Sequence, residues 1–322
     1  MKLPDKVEIE QAAATVYGAM GPTPQISWPL LNARTGAELW IKHENHTPVG
    51  AFKIRGALVY FRYLSQSEPG VRRVVTATRG NFGQAVAFAA RREGIEPIIY
   101  VPHGNSQSKN RAMRALGATL VEDGLDFQQA RTAARQRAAE EEMHYVPSFH
   151  EQLVLGSATY SMELFSAVPA IEVAYVPIGL GSGICGMVAA REALGLKTEI
   201  VGVVSAQAPA YYESFVERRP VSRAATTELA DGLACSVAEP EALEIIWRHV
   251  ARVVTVSDEE VAEAMCILFD DTHNAAEGAG AAALAAVLRE RSRMQGRRVA
   301  AVLSGGNVDR EVFAGILGRF RF

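Results

Sequence analysis

Short runs of apolar, often β-branched residues alternate along the chain with longer stretches in which apolar residues recur every three or four positions. The short runs, such as VVTAT, PIIYV and IVGVV, predict strands. Because these runs are almost continuously apolar, both faces of each strand should be covered by other elements. The longer stretches have the spacing of amphipathic helices. This alternation predicts an α/β protein built from parallel, doubly wound sheets.

The pattern places the elements as follows. Strands are predicted at residues 38–44, 73–78, 97–101, 118–122, 171–178, 199–204, 252–256 and 298–303. Helices are predicted at residues 54–64, 82–92, 109–116, 127–142, 157–165, 183–193, 259–270 and 279–289. Residues 220–230 follow neither pattern, and we expect an irregular connection there.

The elements predicted within residues 71–145 form a compact unit with short connections, which indicates a small, mobile domain. Residues 1–70 and 146–322 then form one larger domain from the two ends of the chain. A length of 322 residues is long for a single core and suits two. In doubly wound sheets, ligands bind where the carboxyl ends of strands meet the N-termini of helices, so chemistry is expected at those positions.

Composition is that of an ordinary globular enzyme, with 48% hydrophobic and 21% charged residues and a formal net charge of −3. This balance gives no electrostatic reason to expect a nucleic-acid or membrane-surface partner. No apolar run has the length of a membrane span, and the first residues lack the apolar core of a signal peptide. Three widely spaced cysteines suggest neither disulfides nor a zinc site. We therefore expect a cytoplasmic protein.

Lys53 is the first candidate for chemistry, within the run NHTPVGAFKIRGA. Residues 47–50 are typical of a turn, and a helix is predicted to begin at about Phe52. A lysine in the first turn of a helix is repelled by the helix dipole, which lowers the pKa of its amine. A neutral lysine amine is what Schiff-base chemistry requires. Most lysines are surface residues, however, and the position of Lys53 alone does not distinguish it from them.

A glycine-rich turn after the predicted strand 171–178 is the second candidate. It consists of Gly179, Leu180, Gly181, Ser182 and Gly183. Glycines let the backbone N–H groups turn toward one point, and the following helix N-terminus adds positive potential, so the turn suits a phosphate. The spacing matches neither a dinucleotide-binding loop nor a Walker A loop, which favours a single phosphate monoester. The alternative is a glycine-rich turn that binds nothing.

Two further strand ends carry polar groups. Thr78 closes the predicted strand 73–78 and is followed by Arg79, Gly80, Asn81 and Phe82. Together with the N–H groups of the next helix, they suit a carboxylate. Ser304 follows the strand 298–303 and places another hydroxyl at a strand end. Each hydroxyl alone is as readily explained as a helix cap.

The four segments together, at residues 45–57, 78–84, 179–183 and 304–307, resemble the fold-type II pyridoxal-phosphate (PLP) enzymes. The similarity is to the serine/threonine dehydratase and serine racemase branch, and the run AFKIRGA is its most specific part. The resemblance implies the tryptophan synthase β-like fold: two doubly wound parallel-sheet domains with PLP in the cleft between them, the larger domain holding the cofactor. It also implies a homodimer.

The resemblance implies a role for each candidate residue. Lys53 would carry the cofactor and later act as the base at the substrate α-carbon. The backbone of residues 179–183 would hold the phosphate. The groups expected around the ring are Phe52 against its face, Asn81 at its phenolic oxygen, Ser304 at its nitrogen and Glu277 beside it. A hydroxyl at the ring nitrogen leaves the ring largely neutral, which favours elimination over transamination.

The implied reaction is a dehydratase reaction that converts L-threonine or L-serine to a 2-oxo acid and ammonia. The substrate carboxylate would bind at Thr78 and the N–H groups of Gly80 and Asn81, with Arg79 and Phe82 nearby. Three alternatives remain at this point. They are the same chemistry on a bulky aromatic β-hydroxy amino acid such as phenylserine, β-replacement of the cysteine synthase type, and a PLP- or phosphate-binding protein without catalysis.

Three positions depart from the family pattern. Residues 205–211 lack the glutamate and aspartate with which metal-activated relatives bind magnesium or calcium, so no divalent metal is expected. Arg79 stands where racemases have a serine, and its pKa is too high for an acid/base, which disfavours racemisation. Phe82 stands where the family has histidine. It is either core packing or, with Tyr211 and Tyr212, the wall of a larger apolar pocket.

Overall fold

The computed structural model describes residues 1–320, in which ten strands form two separate sheets. The strands are β1 (Gln25–Ser27), β2 (Glu38–His43), β3 (Arg73–Ala77), β4 (Glu96–Val101), β5 (Thr119–Glu122), β6 (His144–Tyr145), β7 (Val173–Pro177), β8 (Glu199–Ser205), β9 (Arg252–Val256) and β10 (Arg298–Leu303).

Fourteen α-helices within the same range cover the sheets, together with one 3-10 helix at Asp231–Leu233. The helices are α1 (Lys6–Tyr17), α2 (Pro29–Thr35), α3 (Lys53–Ser67), α4 (Asn81–Arg92), α5 (Gln107–Ala115), α6 (Phe127–Glu140), α7 (Glu151–Ala167), α8 (Ser182–Ala193), α9 (Ala210–Glu217), α10 (Pro240–His249), α11 (Asp258–Thr272), α12 (Gly278–Arg289), α13 (Arg291–Met294) and α14 (Arg310–Arg319). No helix among these residues combines the length and apolar character that crossing a membrane requires.

The larger sheet has the strand order β1-β2-β10-β7-β8-β9, and the smaller one has the order β5-β4-β3-β6. All pairs are parallel except the edge strand β1, which runs antiparallel to β2 with Gln25 opposite Lys42. The predicted fold class, α/β with two doubly wound parallel sheets, is therefore confirmed. Because neighbouring strands run parallel, their carboxyl ends share one edge of each sheet.

Every predicted strand and helix is present, and the irregular connection at residues 220–230 contains only a bridge between Ser222 and Val237. The boundary of α7 is wrong in the prediction, because the helix begins at Glu151 rather than at residue 157. The sequence pattern misses the short strands β1 and β6 and the helices α1, α2, α9, α10, α13 and α14. The missed strands are two or three residues long, too short for a period to be recognised.

Glycines let α3, α7 and α8 approach one another closely. A Cβ atom on Gly156 would lie 2.3 Å from the carbonyl oxygen of Arg55, and one on Gly186 would lie 2.7 Å from the amide of Ala158. The reciprocal position Gly56 would place a Cβ 2.7 Å from the carbonyl oxygen of Leu153. Helix α3, which starts at Lys53, is therefore held against α7 by backbone contact, and α7 is held in the same way against α8.

A buried ionic cluster fixes the same helix to the large sheet. The guanidinium of Arg55 donates to both Glu44 oxygens at 2.7 and 3.0 Å and to both Glu163 oxygens at 2.7 and 2.9 Å. Lys42 donates to Glu163 at 2.6 Å and to the carbonyl oxygen of Thr23 at 2.7 Å. Burial opposes the charge of Arg55, but the two carboxylates outweigh it and raise its pKa. The first turn of α3 is thereby anchored to β2 and α7.

Candidate active site

The four segments singled out by sequence meet at the carboxyl ends of the strands of the large and small sheets. The amide of Phe52 donates to the carbonyl oxygen of Ser304 at 3.1 Å, and Ala51 forms a bridge with Gly305. Asn307 donates to Asn81 Oδ1 at 2.9 Å, which joins the end of β10 to the start of α4. The tertiary fold thus places the start of α3, the start of α4 and the end of β10 around one cleft.

The Lys53 side chain is partly exposed to this cleft and is otherwise surrounded by protein. Its Nζ donates to Ser182 Oγ at 3.2 Å and lies 4.8 Å from the centroid of the Phe52 ring. Burial lowers the pKa of the amine to about 8, and no carboxylate in the described part of the chain acts against that shift. The pKa is lowered as the sequence predicts, and burial is the cause that the structure shows. Schiff-base chemistry requires an amine of this kind.

The glycine turn lies directly beside that amine. Gly181 has φ 101°, which only glycine adopts without strain, and a Cβ on Gly179 would lie 2.5 Å from the carbonyl oxygen of Gly232. The first intrahelical bond of α8 runs from the amide of Cys185 to the carbonyl oxygen of Gly181. The amides of Ser182 and the next two residues therefore have no intrahelical acceptor and are suited to an anion.

Two tyrosines support this turn from behind. Tyr160 donates to the carbonyl oxygen of Gly183 at 3.1 Å, and its ring meets the Phe52 ring edge-on with centroids 5.9 Å apart. Tyr211 donates to the carbonyl oxygen of Leu180 at 2.9 Å and accepts the amide of Glu239 at 3.0 Å. Because both hydroxyls bind carbonyls of the turn, they fix the direction of its peptide groups. The sequence gives no signal for these contacts, since each tyrosine is remote from the turn along the chain.

Asn81 and Glu277 form a short hydrogen bond across the cleft, in which the Asn81 amide donates to the carboxylate. Glu277 is the N-cap residue of α12 and only 3% exposed. Burial raises its pKa, with Lys109 opposing the shift and Asp231 adding to it. The side-chain amide of Asn81 is thus oriented at both ends, because its nitrogen donates to Glu277 and its oxygen accepts from Asn307.

Thr78 serves as a helix cap in this structure. Its hydroxyl accepts the amides of Gly80 at 3.0 Å and Gly83 at 3.3 Å, and the residue is 5% exposed. Those two amides are therefore engaged, and the first-turn amides of Asn81 and Phe82 remain as donors without an intrahelical acceptor. The Thr78 hydroxyl proton itself stays able to donate to a carboxylate.

Phe82 lines a small recess beside Lys53 together with Gly56, Leu153, Ser157 and Ser182. It also packs, half-buried, against the core between α3 and α4. Of the two uses anticipated for an aromatic at this position, core packing is therefore visible, whereas the recess is small. Tyr211 and Tyr212 do not line the recess, and the expectation that they widen it is wrong: Tyr211 lies behind the glycine turn and Tyr212 is 38% exposed. Arg79 is also exposed.

Ser304 is 7% exposed at the end of β10 and donates to the carbonyl oxygen of Ala279 at 3.3 Å. In the segment after β8, Ser205 and Gln207 hydrogen-bond to each other. Over residues 1–320, no group of three or more His, Cys, Asp or Glu side chains is arranged to hold a metal ion. Cys185, Cys235 and Cys266 are free thiols and buried.

Comparison with known proteins agrees with this geometry. Residues 16–305 match the family described as pyridoxal-phosphate dependent enzyme. The chain is 33% identical to L-threonine ammonia-lyase of Thermotoga maritima over 94% of its length and 75% of the relative's. It is 35% identical to L-threonine ammonia-lyase of Geobacter sulfurreducens, over 89% of this chain and 71% of that one. The chain belongs to the pyridoxal-phosphate-dependent enzyme family.

Among solved structures, maize serine racemase superimposes with a TM-score of 0.91 at 26% identity, covering 99% of this chain and 98% of that one. The cofactor of the family is PLP, and the residues present fit it. A lysine amine without a carboxylate partner lies 3.2 Å from Ser182 Oγ, at the helix N-terminus that is suited to a phosphate. The predicted family, fold and cofactor are confirmed.

Proposed function

We propose that the chain is a PLP-dependent ammonia-lyase that removes the β-hydroxyl of L-threonine or L-serine and yields a 2-oxo acid and ammonia. The observation that carries the proposal is the lowered pKa of Lys53, about 8, beside the amides of the glycine turn. Two relatives bearing the name L-threonine ammonia-lyase, at 33% and 35% identity, support it.

Lys53 is the catalytic residue of this proposal. When bound, PLP supplies an electron sink conjugated to the substrate α-carbon. Lys53 would hold the cofactor through its amine, and that amine, when free, would accept the α-proton of the substrate. A pKa near 8 suits both steps, because the amine is a competent base and is neutral in a usable fraction near neutral pH.

The glycine turn and Asn81 position the reacting groups. The amides at the start of α8 would hold the cofactor phosphate, and Asn81, oriented by Glu277 and Asn307, would bind the phenolic oxygen. Phe52 would pack against the ring, and the Ser304 hydroxyl would bind at its nitrogen. Orientation of this kind removes much of the entropic cost of the reaction.

The substrate carboxylate binds at the start of α4. Its donors are the Thr78 hydroxyl and the amides of Asn81 and Phe82, which have no intrahelical acceptor. The amide of Gly80 donates to Thr78 and so acts indirectly, by orienting that hydroxyl. Arg79, being exposed, contributes long-range attraction for the anion rather than contact.

The recess beside Lys53, bounded by Phe82, Leu153 and Gly56, has no room for an aromatic ring. Tyr211 and Tyr212, which would have to line a larger pocket, lie elsewhere. The bulky aromatic substrate is therefore not favoured.

The deciding experiment is a screen of L-threonine, L-serine and phenylserine for 2-oxo acid and ammonia with the PLP-loaded protein. Release from threonine or serine without an added nucleophile is the expected result, and it separates elimination from β-replacement. A protein that binds PLP, as judged by visible absorption, but releases no 2-oxo acid from any of these amino acids contradicts the proposal.

The domain division predicted from sequence remains part of the proposal: residues 1–70 and 146–322 as the PLP-binding domain, and 71–145 as a small mobile domain. The two separate sheets support it, and residues 321–322 lie outside the described part. A homodimer in the cytoplasm, with a small amino-acid substrate and no nucleic-acid or membrane partner, completes it. Light scattering of the PLP-loaded protein should give about twice the monomer mass of 34.8 kDa.

A further inference from the structure

Lys109, on α5 beside the small sheet, is 5% exposed and paired across the cleft. Its Nζ donates to Asp231 Oδ2 at 2.7 Å and lies 3.4 Å from Glu277 Oε2. Asp231 begins the 3-10 helix and Glu277 caps α12, and both elements pack in the core of the large sheet. A single ammonium group therefore connects the two sheets at the edge where the candidate site lies.

Each group touched by Lys109 adjoins a different wall of the cleft. Asp231 precedes Gly232, whose carbonyl oxygen abuts Gly179 of the glycine turn. Glu277 accepts from Asn81 at the start of α4. The Lys109 stem lies under Gly80, where a Cβ would come within 2.3 Å of Lys109 Cδ. The Lys109 side chain thus links three parts of the cleft, namely the glycine turn, the contact between Glu277 and Asn81, and the start of α4.

The ionisation of Glu277 depends on the charged groups around it. Within residues 1–320 the charged groups that act on Glu277 are Lys109, which favours its ionised form, and Asp231, which opposes it. Burial also favours the protonated form. Conversely, burial works against the charge of Lys109, but attraction to Glu277 and Asp231 outweighs it and raises its pKa. Lys109 is accordingly the cation on which the ionisation of Glu277 depends.

We propose that Lys109 is a positioning residue, which holds the Glu277 carboxylate and, through it, the Asn81 amide in the orientation that receives the cofactor ring. Without the ammonium, Glu277 Oε2 has no cation beside it and burial favours the protonated carboxyl, so Oε1 loses negative charge and accepts the Asn81 side-chain amide more weakly. The Asn81 side chain is then held less firmly in the orientation that receives the cofactor ring. The inference rests on the proposed function only in naming the reaction that the bound PLP serves. The effect of Lys109 on PLP binding can be measured without a substrate.

The test compares Lys109→Met with Lys109→Arg and with Ser108→Ala as a matched control. Ser108 Oγ hydrogen-bonds Asp309, so it also ties α5 to an element of the large sheet, but it touches neither Glu277 nor Asn81. PLP affinity is measured by titrating cofactor-free protein, and the visible absorption of the bound cofactor is followed against pH. Melting temperatures report on folding separately.

Lys109→Met is expected to weaken PLP binding by about tenfold and to shift both the visible band and its pH midpoint. Lys109→Arg should recover most of the affinity, because it restores the charge, and Ser108→Ala should stay within about twofold of wild type. In the Glu277→Gln background, Lys109→Met should have little further effect, since the two residues act as one unit.

The proposal is overturned if Lys109→Met lowers the melting temperature while PLP affinity and pH midpoint remain those of the wild type. It is also overturned if Ser108→Ala reproduces the Lys109→Met changes, or if the effects of Lys109→Met and Glu277→Gln add fully. Should Lys109→Met not fold, Glu277→Gln alone decides, because unchanged PLP affinity and pH midpoint there would exclude the route through Glu277. A wild type that binds PLP but forms no 2-oxo acid would contradict the elimination and leave this comparison intact.

Discussion

Lys42 and Lys53 stand at the two ends of the segment that joins β2 to α3, and they meet opposite surroundings. Lys42 is completely buried and paired with Glu163 at 2.6 Å, in a cluster where Arg55, Glu44 and Glu163 complete the charge balance. Lys53 faces the cleft with a hydroxyl, Ser182 Oγ, as its hydrogen-bond acceptor. Burial lowers the pKa of both amines, but carboxylates counteract the shift only for Lys42.

The difference separates a structural lysine from a reactive one. The carboxylates around Lys42 keep its ammonium in use as an ion-pair partner, whereas within residues 1–320 the amine of Lys53 has the Ser182 hydroxyl and the Phe52 ring beside it and no carboxylate. The ionic cluster also anchors α3 through Arg55, two residues from Lys53. The ionic cluster, in which cations and carboxylates are paired, thus supports an adjacent site in which the lysine has no carboxylate partner among residues 1–320.

The largest expected effect is that of Lys53→Ala. The variant should lose the visible absorption of the PLP-bound protein and about 10⁴-fold or more of the activity, because both the cofactor link and the base are removed. Absorbance spectroscopy and 2-oxo acid assays measure it. Lys42→Met is the control and should retain the visible band; loss of the band in both variants would erase the distinction between the two lysines.

Breaking the ionic cluster should lower the free energy of unfolding. Arg55→Met leaves Glu44 and Glu163 buried with Lys42 as the remaining cation, so the free energy of unfolding should fall by about 3–5 kcal/mol. Urea unfolding measures it. The matched control is Arg114→Met, which breaks an exposed pair with Glu122 and should cost less than about 1 kcal/mol. Equal losses in the two variants would contradict a special role for the cluster.

The pH dependence of stability should distinguish the sites further. Lys53 has a folded-state pKa of about 8, below its usual 10.5, so the unfolded chain binds more protons between these values. In cofactor-free protein, the penalty for its charge is therefore full below pH 8 and is relieved as the pH rises toward 10.5. Lys53→Met should be more stable than wild type at pH 7, with the difference shrinking by pH 10. A stability difference independent of pH would show that the amine is not perturbed.

The smallest expected effect concerns the support of the glycine turn. Tyr211→Phe removes a hydrogen bond to Leu180 and one from Glu239, so inorganic phosphate and PLP should bind about three- to tenfold more weakly. Calorimetric titration measures this, with Tyr212→Phe on the exposed neighbouring tyrosine as the control. Unchanged phosphate affinity in Tyr211→Phe would mean that the turn holds its shape without the hydroxyl.

Much of the fold could be predicted because the buried strands of an α/β protein are short apolar runs that are visible in the sequence, as in β4 and β10, which are apolar after a charged first residue. The antiparallel edge strand β1 could not, since its three residues carry no period. Helix α7 begins earlier than predicted because His150 caps it through the amide of Gln152 and tertiary contacts sustain its first turns. Local pattern is blind to such contacts.

By itself the sequence determined the fold class, the family and the four segments whose residues meet at the strand ends, because each of these depends on contiguous runs such as AFKIRGA. Only the tertiary structure decided which groups act together. It turned Thr78 toward the amides of α4, placed Tyr211 behind the glycine turn and brought Lys109 against Glu277. These contacts join residues far apart in the chain, and their energies depend on burial and on the charges that packing brings within a few ångströms.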